Sequence, residues 1–441
     1  MSSALLHSLL DDAGQTSGPD WLRQVRVEAR TRLLERGLPA ARNEAWKYTP
    51  LRALESRRLR RVAAASQPVA VDPALYTLAG VASPRLVFVD GTLRPDLSDV
   101  SSVHGLAIES LGTALERDAQ SLRASLGRSF DADAQVFARL NSALPSDGAV
   151  IRVAAGVKVE PLLHLVMLGS AGAADAYWQL RNVIELGEGS ALRLIEHHAG
   201  GQGCSHLGNV VNQYSLHAGA RLDLLQLQAA PDSVRLIRRS DAVLDADAHL
   251  EMRCVEAGAQ WMRHDLAVAL QGDRARLVSR GVFVLNGRQH ADTRIDVSHQ
   301  ARDTACDLVW RGVADQRARG VFHGAITVCA GADGADALLS NKNLLLSDQA
   351  EIDTQPVLEI HADEVKAAHG ATVGQLDEKA LFYLRSRGID ESAARSLLTL
   401  AFCRIAFDSI TNEALHGQLD ALLLERLPRA ESAADTAQVT G

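Results

Sequence analysis

The chain has 441 residues, of which 47% are hydrophobic and 23% charged, with a formal net charge of −8 at pH 7. This suits a soluble globular protein with one large core or two to three units, and the acidic balance argues against general affinity for nucleic acid or anionic lipid. The five cysteines, Cys204, Cys254, Cys306, Cys329 and Cys403, are scattered, which argues against a disulfide framework and for a reducing compartment, with the cytoplasm as default.

No basic stretch precedes Leu5, Leu6, Leu9 and Leu10, and Asp11 and Asp12 interrupt that apolar run, so no signal peptide is expected. No stretch reaches the ~18 uninterrupted apolar residues of a membrane helix. Residues 1 to about 60 read as helical: Trp21, Val25 and Ala29 recur at spacing four, and Gly37 and Pro39 end the stretch. Arg57, Arg58, Arg60 and Arg61 read as a solvated helix face. Residues 62–84 form a connector, Arg85–Val89 a strand running into an Asp-Gly turn, and 106–144 a return to helical patterning.

From about residue 150 strand-like runs follow one another to about 373. A loose repeat passes through them: an apolar residue, a short turn, then small and apolar residues in alternation. Clear instances begin at Leu186, Leu216 and Leu244, weaker ones at Leu270, Val297, Val328 and Leu346. Such spacings are those of a solenoid, whose coils bury their apolar faces only by stacking. Ala, Val and Leu are expected to fill a narrow interior. On pattern alone a β-sandwich with irregular loops competes. After Gly374 the helical period returns. Asp377 caps a helix over 378–387, Asp390 caps one from 391 to about 410, and a stripe at Leu415, Leu419, Leu422, Leu423 and Leu427 marks a third. The expected organisation is a mainly helical region with connector over 1–148, the β-rich coils over 149–376, a helical domain over 377–428 and a disordered tail over 429–441.

Little in the chain encodes catalysis. There is no Gly-x-x-x-x-Gly-Lys-[Ser/Thr] phosphate loop, so no nucleotide site is expected, and Gly200, Gly201 and Gly203 read as a turn rather than a dinucleotide fingerprint. Cys204 and His206, close to Glu196, His197 and His198, are metal-type ligands, but two are too few for a site. Cys254, Cys306 and Cys329 read as small core fillers. His369 stands where the coils end and the helices begin, with no bulky neighbour obviously covering it.

The run Asn341–Asp348, then Ala350–Pro356, Ile360–Lys366, His369–Gly374 and Leu381–Ile389, resembles the SufB/SufD family of iron–sulfur cluster assembly proteins. Asn43-Glu44-Ala45-Trp46-Lys47-Tyr48-Thr49-Pro50-Leu51 is similar to the SufD branch, as is Gly370 after the histidine, where SufB-like chains tend to carry Glu. The resemblance covers most of the chain. It implies a right-handed parallel β-helix between helical N- and C-terminal regions. It also implies a non-enzymatic scaffold working with SufB and two copies of the ATPase SufC, supporting nascent cluster assembly and iron acquisition. The cluster would be transient and shared with SufB through the β-helix, and SufC would be met by the C-terminal helices, with Leu397, Leu398, Phe402 and Ile405 as contacts. His369 matches the family's implicated ligand. Ala367 stands where relatives often carry Cys, so no thiolate comes from that position. A purely structural SufB partner contributing no ligand is the first alternative. A β-helix enzyme acting on polysaccharide is the second, disfavoured by the lack of an export signal and an aromatic content of only 4%.

Overall fold

The computed structural model describes residues 4–11, 18–40, 42–62, 69–82, 84–100, 102–170, 174–201 and 203–427; the expected tail, 429–441, lies outside them. Its centre is a parallel β-solenoid of two ten-stranded sheets. Consecutive strands alternate between the sheets, so each pairs with the strand one coil away. The first sheet runs from Glu351–Ile360 through Arg319–Val328, His290–His299, Trp261–Leu270, Arg235–Leu244, Ser205–Leu216, Ala174–Leu186 and Ala149–Val153 to Leu106–Ser110. The second runs from Lys366–Gly374 through Asp336–Leu345, Ala305–Ala314, Arg276–Leu285, His249–Glu256, Arg221–Gln228, Ala191–Gly200 and Leu163–Gly169 to Arg85–Val89 and Thr92–Leu93. At the N-terminal end both sheets turn antiparallel, with Leu106–Ser110 against Ala149–Val153 and Arg85–Val89 against Thr92–Leu93. Residues 106–110 are therefore a strand, not helix. A short strand is favoured there because its backbone satisfies the edge of the first parallel coil.

Register shows what the repeat was. Leu186, Leu216, Leu244, Leu270, His299, Val328 and Ile360 are successive partners at the end of the first-sheet strands, a coil of roughly 30 residues. Val297 is two residues out of this column, and Leu346 belongs to the other turn of the coil. The turns after Val153, the partner of Leu186 one coil earlier, and after each of these residues except Ile360 form a second ladder. Gly156, Gly189, Gly219, Asp247, Arg274, Asp303 and Gly334 all have left-handed backbones, with φ between 55° and 77°. Each donates its N–H to a carbonyl of the next coil, as Gly189 does to Ala218 and Asp303 to Asp333. Glycine meets that conformation without cost at four places; Asp247, Arg274 and Asp303 adopt it held by the ladder.

The interior is less uniformly apolar than expected. Its first coils hold Leu165, Leu180, Leu192, Leu194 and Leu222. Buried polar groups then take the inward positions. Glu196 accepts hydrogen bonds from Asn212 and Gln226, both at 2.9 Å, and from the Tyr214 hydroxyl. Arg238 donates to Glu256 at 2.8 Å, and Glu256 also accepts from Thr293 at 2.8 Å. Beyond this layer stand Phe283, Trp310 and Phe322, all buried. The Trp310 indole N–H donates to Ser279 at 3.1 Å. Small residues make room for it: a Cβ on Gly281 would lie 2.5 Å from the Trp310 ring.

Two layers cover the flanks. The turn Asn43–Leu51 straps across the first sheet. Trp46 is buried with the Arg263 guanidinium 3.9 Å above its ring, Thr49 donates to Asp292 at 2.6 Å, and Gln355 donates to the Tyr48 hydroxyl at 3.3 Å. The basic cluster is not a helix face: Arg60–Arg61 pairs with Ala176 and Tyr177, and Arg57 bridges to Asp175. On the second sheet, Leu400, Cys403, Phe407, Leu415, Leu419 and Leu423 pack against Ile195, Leu225, Val255, Val282 and Val313. The caps are as expected, Asp377 accepting from Lys379 and Ala380, and Asp390 from Ser392 and Ala393. The Gly281→Ala substitution should lower stability by about 2–3 kcal/mol, because the Trp310 ring has no room to retreat; the shift of the urea midpoint at constant slope measures this.

Candidate functional site

The solenoid stops abruptly. Among the described residues no coil follows Glu351–Ile360 and Lys366–Gly374, so their outer edges carry backbone groups without a ladder partner there. His369 lies on the second of these strands. Its column runs Leu194, Leu224, Met252, Ser279, Leu308, Leu339, His369. Every earlier member is buried in the interior. By the two-residue alternation of a strand, His369 therefore occupies an inward register position, yet it is exposed because nothing stacks on it. Ala367 precedes it on the same face and packs partly against the core. A Cβ on Gly370 or Gly374 would meet nothing.

Beneath the last coil, the strand Asp336–Leu345 holds both final strands: Asn343 donates to the Thr372 carbonyl at 3.1 Å, and Asn341 accepts from Thr354 at 2.8 Å. Leu338, Val357, Ile360 and Val373 stand exposed around the end. The arrangement offers one inward-phase imidazole, an apolar rim and two open strand edges. It cannot by itself complete a metal's coordination: among the described residues no group of three or more His, Cys, Asp or Glu side chains is placed to hold a metal ion.

Cys204 and His206 are packing residues in this geometry. Cys204 is buried with Ala230 and Val234. His206 lies with its ring centroid 5.4 Å from that of Trp178 and fills the space at Gly169, where a Cβ would fall 1.8 Å from the imidazole. Burial pushes the Cys204 thiol up and the His206 imidazole down to about 4. Both lie near the other end of the solenoid from His369.

Of the four apolar residues singled out on the C-terminal helices, Leu397 and Ile405 are exposed, whereas Leu398 and Phe402 are half-buried, with Phe402 5.6 Å from the Arg311 guanidinium. The larger apolar surface lies on the preceding helix, Glu378–Ser386, where Phe382 is 74% and Tyr383 57% exposed. A signal for them existed. Leu381-Phe382-Tyr383 are consecutive, and residues 100° apart around a helix cannot all share one buried face.

Residues 168–402 match the family model described as "SUF system FeS cluster assembly, SufBD core domain", and residues 11–165 match "SufBD protein N-terminal region". The chain is 30% identical to the iron–sulfur cluster assembly protein SufD of Escherichia coli over 96% of each chain. It is 28% identical to a SufBD family protein of Synechocystis over 87% of this chain and 86% of that one. Against SufB of Bacillus subtilis identity is 25% over 68% of this chain and 64% of the relative. No helix among the described residues is long and apolar enough to cross a membrane.

The buried imidazoles away from the open end have a measurable consequence. Burial holds His197, His206, His290 and His299 down to about 4. An unfolded histidine titrates near 6.5, so between about pH 6.5 and 4 the unfolded chain binds protons that the folded chain excludes. The stability these groups contribute is complete above pH 6.5 and is lost as pH falls toward 4. The urea midpoint should drop between pH 7 and pH 5, and His197→Phe, which keeps the ring stacked on His164 at a 5.5 Å centroid separation, should make that drop shallower. An unchanged or rising midpoint over this range contradicts the assignment.

Proposed function

Because the chain belongs to the SufB/SufD family, on its SufD side, and so serves SUF iron–sulfur cluster assembly, we propose that it is a non-catalytic scaffold subunit whose open solenoid end abuts SufB and presents His369 to the nascent cluster. The observation that carries this reading is an inward-phase histidine on a coil that nothing covers. A like-folded partner set against this end would pair the two open edges, bury Leu338, Val357, Ile360 and Val373, and enclose His369 between two chains. The neutral imidazole supplies a lone pair suited to iron. Ala367 offers no donor, so the remaining ligands come from SufB or from sulfide, and the cluster is cargo held across two chains. The nucleotide is bound by SufC, and the site of work is the cytoplasm.

SufC, in this reading, engages the C-terminal helices through the side chains that stand clear of the solenoid: Phe382, Tyr383, Leu397 and Ile405. Leu398 and Phe402 support that surface from beneath rather than supplying its anchors.

His369→Ala should leave fold and complex formation intact, since an exposed side chain is removed, and should abolish cluster formation. Anaerobic reconstitution of the purified complex with iron and sulfide, followed by cluster absorbance, measures it, and wild-type yield from the variant overturns the ligand role. Phe382→Asp combined with Leu397→Asp should weaken SufC binding several hundredfold. Each apolar anchor contributes about 2 kcal/mol and ~1.4 kcal/mol is tenfold. Both positions are exposed, so circular dichroism should be unchanged; retention of SufC at wild-type affinity by the folded double variant rejects the helical contact.

A further inference from the structure

We propose that the N-terminal region binds a small organic polyanion, a molecule with two or more carboxylate or phosphate groups, in the cleft between the end of the helix Asp20–Arg36 and the start of the helix Val136–Ala143. The proposal is independent of the assembly role, because no residue of the open solenoid end or of the C-terminal helices enters this cleft.

The cleft has a volume of about 680 Å³, within the range of small-molecule sites, and is lined by Arg36, Leu38, Pro39, Arg42, Asp133 and Arg139 among others. Arg139 is the telling residue. Only 2% of it is exposed, yet among the described residues no carboxylate lies within ion-pair distance of it. Its Nε donates to the Phe130 carbonyl at 2.8 Å and its Nη2 to the Ala132 carbonyl at 2.9 Å, which fixes the guanidinium plane. Its Nη1 has no such bond. Buried guanidiniums are ordinarily paired. In the solenoid Arg238 meets Glu256, Arg253 meets Asp223 and Glu251, and Arg263 meets Asp265 and Asp292; Arg181 and Arg311 are buried there on neutral partners alone, and Arg139 is set apart by the cleft of about 680 Å³ that it lines.

The other walls give the same sign of charge. Arg36 donates to the Asp131 carbonyl at 2.6 Å and lies 3.5 Å from Asp133. Asp133 is the sole carboxylate in the lining, against three guanidiniums. Arg42 is exposed and makes no ion pair among the described residues. Burial first, and then the neighbouring Arg36, hold the Arg139 guanidinium below its usual pKa, with Asp133 and Asp131 acting the other way; an anion in the cleft would offset the repulsion from Arg36. Guanidiniums favour carboxylate and phosphate because their paired N–H groups match the two oxygens. The cleft is far larger than one phosphate, and Leu38 and Pro39 give it an apolar wall. Two anionic groups on a carbon skeleton therefore fit it better than an inorganic ion.

Calorimetric titration of the full chain at low salt, with citrate in one series and fructose 1,6-bisphosphate in the other, tests this. Saturable one-to-one binding of at least one probe is expected, and the stronger of the two distinguishes a carboxylate from a phosphate ligand. Arg36→Ala and Arg42→Ala, both surface changes, should each weaken it about tenfold. Arg139→Met, which keeps the aliphatic stem, should abolish it, with a fall in Tm because the Phe130 and Ala132 carbonyls lose their donors. No saturable heat from either probe at about 10 mM, or affinity unchanged in both surface variants, overturns the proposal. Should Arg139→Met fail to fold, those two variants decide.

Discussion

Every coil of a solenoid depends on its neighbours for backbone hydrogen bonds. A strand such as Trp261–Leu270 exchanges them with Arg235–Leu244 on one side and His290–His299 on the other, and the left-handed turn residues repeat the exchange at each corner. The constraint can be met everywhere except at the two ends. At the N-terminal end the chain meets it itself, with antiparallel strands at 85–93 and 106–110. At the C-terminal end the chain turns aside instead, and its helices pack on the flank of the second sheet. The open end is thus a feature of topology, and His369 acquires its character from that alone: the same column position one coil earlier is a buried leucine.

The buried polar layer separates two parts of the interior. Glu196 is satisfied by Asn212, Tyr214 and Gln226, and Glu256 by Arg238 and Thr293, while Nε and Nη1 of Arg238 have no hydrogen-bond partner among the described residues. Breaking one partner of such a pair leaves a buried charge, which is more harmful than replacing both. Phe283, Trp310 and Phe322 stand between this layer and the last coil. The open end is therefore backed by an aromatic layer.

Much of the architecture was legible because its signals are local. Leu186, Leu216, Leu244 and Leu270 recur at the corners, with glycine after the first two in the strained turn position, and that combination marks a coil. It fades where His299 replaces the leucine and where Arg274 and Asp303 take the turn without glycine, so Val297 and Leu346 were read out of register. The strand at 106–110 was hidden because its partner lies beyond three helices. The polar interior was invisible for a different reason: alternating polar residues in a strand look like a solvent face until a second sheet covers them. The position of His369 at the end of the coils was readable, but its inward phase required the register of the neighbouring strands. Phe382 and Tyr383 give a weaker sequence signal than the longer apolar stripe of the next helix, because only two adjacent positions carry it.

The strap Asn43–Leu51 sets an order of events in the life of the chain. The Thr49–Asp292 contact spans 243 positions and the Gln355–Tyr48 contact 307. At roughly 5–20 residues per second of synthesis, the strap waits about 15–60 s for its last partner to be made. Coils can wind as they leave the ribosome, each on the one before, but Trp46 has no Arg263 to lie beneath until most of the solenoid exists. A chain cut short before residue 263 would therefore keep Trp46 against Phe137 but leave the strap without Arg263, Asp292 and Gln355, so that the strap is fastened only when the solenoid has been wound nearly to its end.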